Sequence, residues 1–88
     1  MAKSFKVIES KLGRNKAWGM AHADDNIIEI DARLKGKKRL EILIHEALHL
    51  LNPEMSEDDV ILQSQKICLT LWKLNYRQVD NDQSQPLQ

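Results

Sequence analysis

The chain has little of what other small proteins use to hold themselves together or to attach elsewhere. It contains one cysteine, Cys68, so no internal disulfide can form, and a lone thiol suits a reducing compartment. It has no charge excess: Lys and Arg number 13, Asp and Glu number 13, and the net charge is zero. That balance gives no general reason to expect nucleic acid or a membrane surface as a partner. No apolar run approaches the roughly 18 residues that span a bilayer. The start, Met-Ala-Lys-Ser-Phe-Lys, lacks the apolar stretch of a signal peptide. There are no internal repeats. The expectation is a soluble, cytoplasmic protein. Its 88 residues suffice for one domain with a modest core, which a bound metal would help to stabilise.

What the chain does have is Ile44-His45-Glu46-Ala47-Leu48-His49-Leu50, an H-E-x-x-H pattern among good helix formers. Residues four apart lie one turn above each other on a helix, so His45 and His49 can aim two imidazoles at one ion. Glu46 sits ~100° further round, too far to share their coordination but able to reach a water beside the ion. Two histidine ligands, a general base and a third ligand from elsewhere make the arrangement of a zinc hydrolase. A chance pattern with a solvated histidine pair is the competing explanation. The apolar setting argues against it, as does the use of two of only three histidines.

Around the motif the pattern is α+β. Residues 4–10 predict a short strand, with Ile8 breaking strict alternation and a helix through Leu12 as the alternative. Gly13 to Lys16 predict a turn, and residues 17–22 a second strand whose small residues let another backbone approach. Ala23-Asp24-Asp25-Asn26 is a turn signal, and Ile27-Ile28-Glu29-Ile30-Asp31 is the best strand in the chain. The expectation is a small antiparallel sheet of two or three strands packed on two helices. The run Lys35-Gly36-Lys37-Lys38-Arg39 is a basic linker, for which a solvated helix entry is favoured over a phosphate-contacting patch. The first helix should span residues 37–51 and end at Asn52-Pro53, its wide apolar arc facing the sheet on one side and the next helix on the other. Ser56 caps a second helix, with Asp59 in a capping-box-like position, and that helix should run to about Tyr76. Residues 1–77 form the single domain, and the polar tail 78–88 is expected to be disordered.

A third ligand has to come from Glu54, Glu57, Asp58, Asp59 or His22. Stepping ~100° per residue along the second helix, Glu57 falls within about 40° of Ile61, Ser64, Cys68 and Leu71, the stripe that faces the first helix. Asp58 lies about a quarter turn away and Asp59 about half a turn. A carboxylate on that stripe is costly unless paired, and a metal would pair it; the alternative is an ordinary first-turn acid serving the helix dipole. Glu57 is therefore favoured over Asp58. Glu54 lies in a loop, and His22 ends a strand with no spacing that ties it to the helix. Cys68 lies roughly 16 Å along the helix from Glu57 and reads as a core thiol; Tyr76 is further still.

Strand 27–31, a polar link, the Ile42-to-His49 helix and an acid-capped second helix resemble a minimal zincin, similar to the small metallopeptidases of phage and bacterial genomes. The resemblance covers about residues 17–75 and rests mostly on His45, Glu46 and His49. A metzincin would have Gly at Asn52 and His at Met55, and this chain has neither. The gluzincin branch takes a Glu from a following helix, which matches Glu57 in kind, though Glu57 follows His49 more closely than in the large members. The resemblance also implies that a peptide substrate adds to an edge strand, here the segment Trp18 to Ala21.

The expected activity is zinc-dependent peptide-bond hydrolysis on a peptide or protein substrate. Zn²⁺ would be held by His45, His49 and Glu57, with Glu46 as general base. The alternative is a non-catalytic module that a zinc ion staples for binding a partner. Its appeal is the small size and the lack of a motif-placed oxyanion donor. A structural zinc, however, normally takes four protein ligands.

Overall fold

The structure, a computed structural model, describes residues 3–12 and 18–79. Three strands and two helices follow in the order β1 (Lys6–Ser10), β2 (Gly19–His22), β3 (Ile27–Asp31), α1 (Gly36–Leu51) and α2 (Glu57–Lys73). The turn expected at residues 13–16 and most of the expected tail, residues 80–88, lie outside the described residues.

β3 is the centre of the sheet, in the order β1-β3-β2. Its alternation puts Ile28 and Ile30 on one face, where both are fully buried together with Leu34. Phe5, Ile42, Leu43, Ala47 and Leu50 close over them. Fully burying an Ile side chain stabilises by about 1.5–3 kcal/mol, so this pair anchors the sheet to α1.

The sheet is mixed, which corrects the expected antiparallel sheet. β2 and β3 form the antiparallel hairpin with Ala21 opposite Ile28, but β1 runs parallel to β3 with Val7 opposite Ile28. Alternation reveals which side chains share a face; it carries no information on strand direction. Here β2 supplies the return path that a parallel pair requires. A second correction concerns the helices. α1 packs on β2 and β3, whereas α2 packs on α1 and not on the sheet. The wide apolar arc of α1 is thus covered from both sides, as its pattern required.

α1 enters through Gly36 at φ 57, a left-handed conformation that glycine adopts without strain. α2 begins as its sequence demands: Ser56 Oγ accepts from the Asp59 amide at 3.1 Å. It ends three residues before the expected Tyr76. Asn75 turns left-handed at φ 71, its amide donates to the Trp72 carbonyl, and the Tyr76 amide donates to the Leu71 carbonyl. Val60, Ser64 and Cys68 are the buried residues of α2. Their small side chains let the two helices lie close, and Cys68 Sγ reaches the Lys37 carbonyl at 3.6 Å. Burial pushes the Cys68 thiol pKa up, consistent with an inert core thiol. No helix among the described residues is long and apolar enough to cross a membrane.

Asp31, at the end of β3, is buried and fully engaged. It accepts from the Arg33 amide and Nε at 2.8 Å each, from Arg33 Nη2 at 2.7 Å and from the Leu12 amide at 3.2 Å. Arg33 also lies over the Trp18 ring at 5.6 Å. One carboxylate thereby ties the exit of β1, the end of β3 and the approach to α1. These hydrogen bonds, those from Arg33 first, hold the Asp31 carboxyl far below the usual carboxylate range. A group with a depressed folded pKa adds stability above its unfolded value of about 3.9, and that stability is lost as pH falls towards the folded value. Asp31→Asn should therefore unfold at lower denaturant than wild type at pH 7, with the gap narrowing steadily below about pH 4. A pH-independent gap in urea titrations would show that Asp31 acts by packing alone.

Candidate metal centre

The last turns of α1 and the first turn of α2 meet at one end of the helix pair. His45 and His49 project from the same face of α1, with ring centroids 4.9 Å apart. Glu57, the first residue of α2, faces them: its Oε2 is 3.2 Å from His45 Nε2, and its Oε1 is 2.9 Å from His49 Nε2. The two Nε2 atoms are themselves 3.2 Å apart. Among the described residues, His45, His49 and Glu57 form the group whose ligand atoms all lie within 4.8 Å of one another.

This donor set could hold a metal ion. Two atoms each about 2.0–2.1 Å from a tetrahedral ion stand about 3.3 Å apart, close to the separations here. The chemistry points the same way. Each Nε2 has one position, for a proton or a lone pair, yet each has two close neighbours. One central cation satisfies all three donors, which a chain of hydrogen bonds cannot do as well. Two imidazoles and a carboxylate suit zinc and also other divalent metals.

The folding that builds the site is local. Ser56 fixes the first turn of α2, and the packing of Val60 and Ser64 on α1 sets how close that turn comes. Glu57 thus reaches the histidines from the α1-facing side of its helix. Its side chain remains 60% exposed, because the site lies at the rim of the helix interface rather than in it. The other candidates fall elsewhere. Asp58 is exposed on α2 and outside the cluster, and Glu54 is exposed in the loop between the helices. His22 pairs with Glu29 across the hairpin at 2.9 Å, and Glu29 also accepts from Ser10 Oγ.

Glu46 lies beside the cluster, with its side chain against Gly19 of β2. It is 7% exposed and makes no hydrogen bond among the described residues. Burial raises its pKa, an effect that the charges of His45 and His49 oppose and that of Glu57 reinforces. Gly19 of β2 makes the room. A Cβ at position 19 would stand 2.8 Å from Ile42 Cγ2, 3.0 Å from Glu46 Cγ and 3.2 Å from Glu46 Oε2. The small residues of β2 suggested the close approach of a backbone. What approaches is this pair of α1 side chains, which no pattern within β2 could identify.

No protein-family profile, no curated protein and no solved structure matches the chain.

Two outcomes follow for the purified protein. The wild type should carry a stoichiometric divalent metal in elemental analysis and His45→Ala should lose it; equal content in both would remove the site. Gly19→Ala should cost about 1–3 kcal/mol in urea unfolding, because the new methyl must displace Ile42 or Glu46. Unchanged stability would mean that the contact yields freely.

Proposed function

We propose that the chain is a zinc-dependent peptide-bond hydrolase of the minimal zincin kind. The observation that carries this reading is the convergence of His45, His49 and Glu57 beside a buried carboxylate, Glu46, that makes no hydrogen bond among the described residues. His45, His49 and Glu57 would hold the ion. When bound, zinc would supply Lewis acidity to a scissile carbonyl and to the attacking water. Glu46 would be the residue that takes a proton from the attacking water and returns one to the leaving amine. Its raised pKa suits a group that must both accept and release a proton.

The strand beside Glu46 offers a place for substrate. The Asp31 amide donates to the Trp18 carbonyl at 2.9 Å, which fixes the phase of the hairpin ladder. Trp18, Met20 and His22 therefore turn their backbone groups to β3, and Gly19 and Ala21 turn theirs outward. No described strand pairs with that outer edge. An extended peptide adding there would lie over Glu46, with main-chain bonds to Gly19 and Ala21.

One observation favours a second reading, a non-catalytic module stapled by its metal. α2 rests on α1 alone, so an ion shared by His45, His49 and Glu57 would cross-link the two helices. Glu46→Gln separates the readings. On the hydrolase reading it abolishes cleavage of an unfolded protein substrate, a loss of about 10²–10⁴-fold or more, while zinc content stays stoichiometric. Zinc-loaded wild type that cleaves nothing yet gains thermal stability from the metal would support the staple.

A further inference from the structure

Among the described residues, α2 has a second side that stays exposed. Its buried line runs through Val60, Ser64 and Cys68. At ~100° per residue, Asp58, Leu62, Gln65, Lys66, Leu69 and Lys73 all fall within about 50° of another line on the opposite flank. All six are exposed, with Leu62 at 63% and Leu69 at 53%. Leu62 and Leu69, seven residues and so almost two helical turns apart, form an exposed apolar pair flanked by charged and polar residues on a face that α1 does not cover.

The order of residues along this stripe is self-complementary. Laid antiparallel on a copy of itself, with the two-fold axis between Gln65 and Lys66, the helix places Leu62 across from Leu69 of the second copy. The same register sets Asp58 across from Lys73 and Gln65 across from Lys66. The charge layout repeats this at larger scale: Glu57, Asp58 and Asp59 occupy the first turn and Lys73 the last. An antiparallel neighbour brings acidic and basic ends together and opposes the helix dipoles favourably. A parallel neighbour would stack like charges at both ends.

We propose that this face of α2 docks a second copy of the chain as an antiparallel, two-fold symmetric helix pair. The centre of the stripe lies about 130° round the helix from Glu57, so His45, His49 and Glu57 stay clear of the contact. One helix face is small for an interface, so the dimer is concentration-dependent.

The full-length chain tests this in sedimentation equilibrium over a concentration series. The wild type should pass from one chain to two as concentration rises. Leu62→Lys should weaken association by about tenfold or more with unchanged far-UV circular dichroism. Asp58→Lys should weaken it, and Asp58→Lys with Lys73→Asp should recover it. For orientation, Leu62→Cys and Leu69→Cys proteins mixed together should form a mixed disulfide faster than either forms one with itself. A wild type that remains a single chain throughout overturns the proposal, whether because its own residues or a different partner cover the face. Preferential Leu62→Cys self-coupling, the mark of a parallel pair, overturns it too.

Discussion

The packing of α2 on α1 through Val60, Ser64 and Cys68 is the contact on which the candidate site depends. The histidine pair belongs to one helix and Glu57 to the other, so the site exists only while those helices stay packed. Three small side chains set the approach. Bulkier ones would move Glu57 outward from His45 and His49, since interiors this closely packed transmit added volume as displacement. α1 in turn has its direction fixed by the sheet, through Ile28 and Ile30 against Ile42, Leu43 and Ala47. The chain of causes therefore runs from the alternation of β3, through the two-sided arc of α1, to the position of one carboxylate on α2.

Two buried carboxylates show what environment does to the same chemical group. Asp31 accepts hydrogen bonds from Arg33 and the Leu12 amide, and its pKa falls. Glu46 is enclosed by Gly19 and Ile42 without a hydrogen bond among the described residues, and its pKa rises. The first is committed to structure, since protonating it loosens the strand ends. The second sits where burial favours its protonated form.

Much of this could be read from the residues. The period of β3 and the spacing of His45 and His49 gave those elements their place, and the Ser56 cap fixed the start of α2. Stepping round α2 singled out Glu57 from Asp58, because a ligand must share the stripe that packs on α1. Strand direction could not be read, because alternation is blind to it. Gly19 could not be matched to Glu46, because that contact joins residues far apart in the chain. The apolar pattern runs on through Leu74 and Tyr76 and so does not mark the end of α2 at Lys73. What stops the helix is the left-handed Asn75, whose signal is local geometry rather than periodicity.

The parallel placement of β1 carries a consequence for how the chain behaves while folding. β2, β3 and α1 are consecutive and can assemble from nearby contacts, whereas β1 must join from beyond the hairpin. Until it does, the β3 strand with its two core isoleucines presents an unpaired border of amides and carbonyls. Such a border is a template for the same strand in another molecule. The first strand, itself exposed and weakly packed, thus serves as a guard against self-stacking as well as a part of the sheet.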